Sequence, residues 1–106
     1  MDREEYIQSK SNAIARRQLN DYRRVLNMPE GRRIVWDLLQ MCNFRHHGYV
    51  PHDAAATAFN CGQISIGLYI ADIVSKANFP ALEQMEQEFI AEQKQLNKEL
   101  NDVEDL

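Results

Sequence analysis

The residue types best suited to chemistry in this sequence are two cysteines and three histidines within one stretch of the chain. They are Cys42, His46, His47, His52 and Cys61. Thiolate and imidazole groups are the usual ligands of tetrahedral zinc, and structural sites generally hold it through closely spaced ligand pairs. Cys42-x3-His46, with the second cysteine nineteen residues after the first, does not match such pairs cleanly. We therefore expect exposed loop histidines and no metal site.

The same thiols and histidines give little support to an enzyme. The sequence shows no Gly-rich phosphate loop after a strand, no nucleophile elbow and no helix with paired metal-binding histidines. Cys42 and Cys61 fall in apolar helical patterns, where thiols are usually inert. We expect both to be buried as small apolar side chains and to remain reduced. The sequence thus predicts a non-enzymatic protein without a cofactor.

Arginines form a second candidate site, because they occur as three adjacent pairs. The pairs are Arg16 and Arg17, Arg23 and Arg24, and Arg32 and Arg33. The first two pairs are seven residues apart, so a helix stacks them two turns apart on one side. Such a stripe is either a solvated polar face or a contact for phosphates or carboxylates, to which arginine binds in a bidentate manner. No aromatic residue is interleaved there, which argues against stacking on single-stranded bases.

Charge is divided unevenly along the chain. The 106 residues carry a formal net charge of −4, with 44% hydrophobic and 26% charged residues, as expected for one globular domain. Residues 1–45 hold nine basic and six acidic residues, whereas residues 46–106 hold three basic and ten acidic ones. This division favours packing between copies or a basic surface for an acidic partner. The charged N-terminus lacks the apolar run of a signal peptide, so we expect an intracellular protein.

Four helices are needed to position these residues. Apolar spacing predicts helices over about 3–27, 29–42, 53–77 and from Asn78 to about Leu100 or beyond. Pro29 suits the first turn of the second helix, Asp53 (or Thr57, for a shorter helix) the cap of the third, and Asn78 the cap of the fourth. We expect an all-α fold: a compact four-helix domain over residues 1–92 and an acidic C-terminal helix extension or tail over residues 93–106.

The third helix has the longest apolar pattern. Phe59, Ile66 and Ile70 lie on one stripe, with a second stripe of apolar residues beside it, so we expect neighbours on both sides of this helix. Gly62 and Gly67 interrupt the stripes and predict close approach of another backbone. Polar and charged residues interrupt the run before it reaches the length of a membrane span.

The end of the fourth helix has too few apolar residues to bury itself within its own chain. Those residues are Leu96, Leu100, Val103 and Leu106. They either belong to a frayed acidic tail or dock on another subunit or partner.

A family resemblance adds a biological setting. RRVLNMPEGRRIVWDLLQMC at 23–42, TAFNCGQISIGLYI at 57–70 and LEQMEQE at 82–88 resemble the Bbp-nineteen-like family of small tailed-phage proteins. The resemblance implies a phage or prophage product, since members are typically encoded in head-morphogenesis gene clusters near terminase and portal genes. It carries no agreed catalytic residues.

Two functional classes follow from the residues and the resemblance together. The first is a virion or head-assembly component at the head, the portal or an internal surface, which contacts other phage structural proteins and further copies of itself. It would be found in the virion and, during assembly, in the host cytoplasm. The alternative is a nucleic-acid-associated accessory of DNA packaging, with the three arginine pairs on phosphates. Net acidity and the lack of a recognisable reading helix count against that alternative.

Overall fold

The computed structural model describes residues 1–104 and contains four α-helices. They are α1 (Arg3–Leu26), α2 (Pro29–Met41), α3 (Ala54–Ala77) and α4 (Ala81–Glu104). No strand occurs among the described residues. The all-α fold with four helices is confirmed, and the predicted ends of the first three helices differ from the observed ends by no more than one residue.

Aspartate caps explain where two of the long helices begin. Asp2 accepts a hydrogen bond at 2.8 Å from the backbone amide of Glu5, and Asp53 accepts one at 2.9 Å from the amide of Ala56. Each carboxylate thereby satisfies an amide of the first turn that has no partner within its helix. Asp53 rather than Thr57 is therefore the N-cap of α3.

The start of α4 differs from the prediction that Asn78 caps it. The helix begins at Ala81, directly after Pro80, so Pro80 precedes the first turn instead of lying within it. The amide of Ala81 donates to the carbonyl of Asn78 at 3.0 Å, which closes a tight turn between α3 and α4. Proline suits this junction because its φ is fixed and it has no amide to leave unsatisfied.

One small core holds the four helices together. Its members come from the end of α1, from α2 and the residues after it, from the second half of α3 and from the start of α4: Leu26, Val35, Trp36, Leu39, Phe44, Ala71, Val74, Ala77, Ala81 and Met85. Leu19, Tyr22, Ile70 and Leu82 pack against its edge. The core therefore lies where the helices meet and leaves their far ends without cover.

Two glycines permit close contacts between helices. A Cβ at Gly31 would lie 1.9 Å from the carbonyl oxygen of Val25, so only glycine lets the start of α2 approach the end of α1 this closely. A Cβ at Gly67 would lie 2.7 Å from the Cβ of Phe44, which confirms the close approach predicted for that residue. Nothing lies within 4 Å of a Cβ at Gly62, so the same prediction is wrong there.

Helices α1 and α3 run parallel where they touch. Gln18 donates to the hydroxyl of Tyr69 at 3.3 Å, and five residues further along α1 the guanidinium of Arg23 donates to the carbonyl of Ala77 at 2.9 Å. Both helices thus advance in the same direction toward the core. Tyr22 lies between these contacts, and its burial, with a smaller effect of Tyr69, raises the pKa of its phenol.

The prediction that α3 is covered on both sides is wrong for its first half. Phe59, Ile66 and Leu68 are all more than half exposed. The reason is length: α3 has 24 residues and spans about 36 Å, whereas the antiparallel α2 has 13 residues and spans about 20 Å. Cys42 and Phe44, which directly follow α2, meet α3 at Gly67, so the first half of α3 extends beyond the end of this shorter helix.

The outer two thirds of α1 and of α4 are exposed along their whole length. We call residues 3–18 the α1 arm and residues 89–104 the α4 arm; every residue in both is exposed. The molecule accordingly measures 74 × 42 × 16 Å, with a radius of gyration of 19.2 Å. Of the apolar face predicted for α1, only its C-terminal end is buried, while Ile7 and Ile14 remain in solvent.

Within the described residues, no helix combines the length and the apolarity needed to cross a membrane.

Candidate protein-binding surfaces

The crossing of α2 and α4 is built around the single tryptophan. The Trp36 ring meets Phe44 edge-on, with ring centres 6.2 Å apart, and Phe89 at a tilt, with centres 6.0 Å apart. Aromatic pairs prefer such geometries over flat stacking. The indole nitrogen of Trp36 is buried and has no hydrogen-bond partner among the described residues. Among the described residues, Trp36 holds the crossing through the contacts of its ring, which Arg45 also overlies at 5.7 Å from the ring centre.

Two ion pairs fix the direction of that crossing. Glu86 and Glu88 are two residues apart on α4 and therefore point to opposite sides of the helix. Arg32 donates to both carboxylate oxygens of Glu88, at 2.9 and 3.2 Å, and Arg45 pairs with Glu86 at 2.9 Å. Since Arg32 and Arg45 lie thirteen residues apart, one short segment of α4 contacts both ends of the α2 region. Helix α4 therefore crosses α2 rather than running along it.

Arg32 is the most connected side chain of the crossing. Besides Glu88, it donates at 2.9 Å to the carbonyl of Leu26, the last residue of α1, and so joins three helices. Its side chain is only 14% exposed. We predicted Arg32, as a member of the third arginine pair, to be a contact for an anionic partner. Its observed partners lie within the fold.

The sequence held a signal for this inward position. Arg32 precedes Val35, Trp36 and Leu39 by three, four and seven residues, which places all four on one helix face. Its partner Glu88 lies 56 residues away in the chain, and no local pattern connects the two. Reasoning from sequence could therefore have found the direction of Arg32 but not its partner.

A groove of about 720 Å³ lies beside this crossing. Its floor is apolar, and its rim carries charges of both signs: the lining residues are Arg32, Arg33, Trp36, Asp37, Gln40, Met85, Glu88, Phe89, Ala91 and Glu92. An apolar floor with a mixed rim suits a protein side chain, since a phosphate would meet three carboxylates there. The groove opens at the base of the α4 arm.

The six predicted arginines do not form one surface. Arg23 donates to the carbonyl of Ala77 at the end of α3, and Arg32 is held inside the crossing. Arg33 lies on the rim of the groove. For Arg16, Arg17, Arg24 and Arg33 the part of the chain described here provides no hydrogen bond or ion pair. The side chains available to a partner are these four, three of them on α1.

The predicted partner-binding residues of the tail lie on a helix. Leu96, Leu100 and Val103 are exposed on the α4 arm, and Leu106 lies outside the described residues. At 100° per residue, Leu96 and Val103 continue the stripe that begins with Met85 and Phe89 at the crossing. The same face of α4 is thus packed near the core and bare beyond it.

The histidine loop is tied to α3 by backbone contacts. The amide of Val50 donates to the hydroxyl of Thr57 at 2.9 Å, and Gly48 packs against Cys61. Phe44 is buried in the core, whereas Tyr49 is 66% exposed. A shallow hollow of about 490 Å³ lies between this loop and the start of α3.

The thiols and histidines of this region do not converge. His46, His47 and His52 are exposed, Cys42 is half-buried and Cys61 is exposed, so the prediction of a buried Cys61 is wrong. Cys61 falls on the part of α3 that α2 is too short to cover. Among residues 1–104, no group of three or more His, Cys, Asp or Glu side chains could hold a metal ion.

A comparison with known families decides the biological setting. The family model described as Bbp19-like phage protein matches residues 22–87, more than half of the chain. The chain belongs to this family. No curated protein and no solved structure matches it significantly. The Bbp19-like segment comprises the end of α1, α2, α3 and the start of α4, which together build the core. Both arms lie outside the matched residues.

Proposed function

We propose that this Bbp19-like phage protein is a non-enzymatic component of the virion or of head assembly, acting through protein–protein contacts. Its place is the head, the portal region or an internal surface of the particle, and the host cytoplasm during assembly. Its partners are other phage structural proteins of the portal or capsid region, together with further copies of itself. Membership of a phage family supports the setting.

The observation that carries the proposal is the exposure of apolar side chains on both arms. Leu96, Leu100 and Val103 on the α4 arm are each about half exposed, and so are Ile7 and Ile14 on the α1 arm. An apolar row on a fully exposed helix is typical of a helix that another protein covers. Since the core of this chain leaves these five side chains exposed, a partner would supply their cover.

Mass spectrometry of purified particles of the encoding phage tests this proposal. We expect the chain in particles, or in assembly intermediates isolated from infected cells, at a fixed copy number relative to the portal protein. Its absence from both would contradict the proposal.

A matched pair of variants tests the role of the α4 arm. Replacing Leu96 and Val103 by Ser removes two of the three apolar side chains of the row, whereas replacing Lys94 and Lys98 by Ser alters the opposite side of the same helix. We expect the first variant to be depleted from particles by at least about tenfold, which corresponds to ~1.4 kcal/mol of lost contact energy. The second variant should be incorporated normally. Equal incorporation of both would exclude the α4 arm as the contact.

A nucleic-acid-associated accessory of DNA packaging is the second candidate, favoured by one observation. Arg16, Arg17 and Arg24 are exposed on α1 without a hydrogen bond or ion pair to any described residue. Binding of duplex DNA through them would weaken steeply with salt, by a slope of about −0.9 per phosphate contact. Fluorescence anisotropy with labelled DNA at several salt concentrations measures this slope. Replacing the three arginines by Gln should remove it, and a flat response of the unaltered protein excludes this function.

A further inference from the structure

The two arms have matching lengths and opposite charges. Each arm contains 16 residues and spans about 24 Å as a helix. The α1 arm carries four basic and two acidic residues, whereas the α4 arm carries two basic and four acidic ones. Within one molecule they stem from different parts of the core, and each remains exposed. The charges therefore favour a contact between the α1 arm of one copy and the α4 arm of another.

The apolar and charged positions of the two arms follow the same spacing. On the α1 arm, Ile7 and Ile14 lie seven residues apart, and each is followed three residues later by a base, Lys10 and Arg17. On α4, Phe89 and Leu96 lie seven residues apart, and each is followed three residues later by an acid, Glu92 and Glu99. Helices that pair in a coiled coil repeat every seven residues with two core positions per repeat; on these arms one core position is apolar and the other carries a charge, basic on α1 and acidic on α4.

The direction of pairing follows from this spacing. In a parallel pair, like positions of the repeat lie in the same layer, so isoleucines meet apolar side chains and bases meet acids. In an antiparallel pair, the isoleucines would face Glu92 and Glu99. A pair of two α4 arms would bring the glutamates of each helix together, which is also unfavourable. The parallel pairing of unlike arms is the arrangement that satisfies both the apolar and the charged layers.

The attachment of the arms to the core agrees with a parallel pair. The α1 arm runs from its tip toward its own core, whereas the α4 arm runs from its core toward its tip. When the two are parallel, with residues 7–18 of one copy alongside residues 89–100 of the next, each tip points toward the other molecule's core, and the two cores lie at opposite ends of the pair. The twelve paired residues of each arm span about 18 Å and separate the two cores.

We propose that this protein assembles head to tail, with the α1 arm of each copy paired in parallel with the α4 arm of the next. In this register Ile7 lies opposite Phe89, Lys10 opposite Glu92, Ile14 opposite Leu96 and Arg17 opposite Glu99. Every copy carries one arm of each kind, so each contact leaves a second arm for a further contact, and the assembly either closes into a ring or extends as a chain. This inference rests on the proposed function, because it names the protein's own copies as one of the partners.

Charge exchange between the arms tests the pairing. Variant P carries Lys10→Glu and Arg17→Glu, and variant Q carries Glu92→Lys and Glu99→Lys. Each variant alone places like charges in both charged layers and should be monomeric, at the 12.4 kDa of one chain. In an equimolar mixture, each arm of P faces an opposite charge on Q, so assembly should return with P and Q alternating.

Sedimentation of the purified full-length chains measures these masses, at concentrations up to about 1 mM, where even weak association is detected. Far-UV circular dichroism confirms that each variant is folded, as expected for exposed positions. The matched control is Arg16→Glu, which changes a neighbouring arginine on the side of α1 away from the isoleucines and should assemble normally.

Three results would overturn the inference. They are a monomeric unaltered protein over the whole concentration range, full assembly of P or Q alone, or a mixture of P and Q that stays monomeric. Failure of the proposed function has a different signature, since it is judged by the presence of the chain in particles. A monomeric protein that is nevertheless found in particles would contradict head-to-tail assembly and leave the virion role intact.

Discussion

Two glutamates of α4 allow a sharp test of how the helix crossing is held. Glu88 and Glu86 lie two residues apart on the same helix, each 2.9 Å from an arginine, and their side chains are 39% and 40% exposed. Replacing either by Ala makes the same change in charge, size and helix propensity. The two variants differ only in the arginine left behind, which is 14% exposed for Arg32 and 47% exposed for Arg45.

The expected magnitudes follow from that difference. Removing one partner of a fully buried ion pair costs about 3–5 kcal/mol, because the remaining charge is left in a poorly solvated place. Arg32 keeps its bond to the carbonyl of Leu26, and water reaches it where Glu88 was partly exposed. We therefore expect Glu88→Ala to lower the free energy of unfolding by about 2 kcal/mol, less than the cost for a fully buried pair.

The loss for Glu86→Ala should be smaller. Exposed ion pairs contribute roughly 0.2–1 kcal/mol. Arg45 also retains its position over the rings of Trp36 and Phe44, at 5.7 and 5.0 Å from the ring centres. For a domain of this size, a loss of 2 kcal/mol lowers the melting temperature by about 8 °C, and a loss within the surface range by less than about 4 °C.

Urea unfolding followed by tryptophan fluorescence and by circular dichroism at 222 nm measures both losses. The chain contains a single tryptophan, and it lies in the crossing itself. Each variant is measured at several protein concentrations, because association would add stability that depends on concentration. Should Glu88→Ala cost no more than Glu86→Ala, the arginine that joins three helices would not be holding the crossing, and the argument from burial would be wrong.

Two further predictions concern α1, α2 and α3. Gly31→Ala should lower the free energy of unfolding by more than about 2 kcal/mol, because the new Cβ would overlap the carbonyl of Val25. Gly62→Ala should raise the free energy of unfolding by up to about 1 kcal/mol, because alanine has the higher helix propensity and nothing lies near its Cβ. Thermal and urea unfolding check both, and a loss of stability at Gly62 would show a contact that the structure lacks. The raised pKa of Tyr22 means that the unfolded chain releases this proton first, so stability falls as pH rises above about 10. Tyr22→Phe should have the same free energy of unfolding as the unaltered protein at pH 7, and this free energy should fall less when the pH is raised above 10. An equal fall in both proteins would contradict the assignment of the effect to Tyr22.

The sequence by itself determined the helices. Caps such as Asp53, prolines such as Pro29 and the spacing of apolar residues act over a few residues, so their effects can be read locally. The sequence also predicted where the exposed end of α4 lies, because few apolar residues occur after Ile90. The family resemblance rested on the segments that build the core, and the family match covers those segments.

The tertiary structure decided which part of each apolar face is covered. Phe59 and Ile14 belong to the same apolar faces of their helices as residues that are buried, yet both are exposed. Whether an apolar side chain is buried depends on how far the neighbouring helix extends. Helix α2 is too short to cover the first half of α3, and the isoleucines of the α1 arm stay exposed. The inward turn of Arg32 likewise depends on Glu88, which folding brings from 56 residues away. Burial and ion pairing are properties of pairs of surfaces, and a periodic pattern describes one surface at a time.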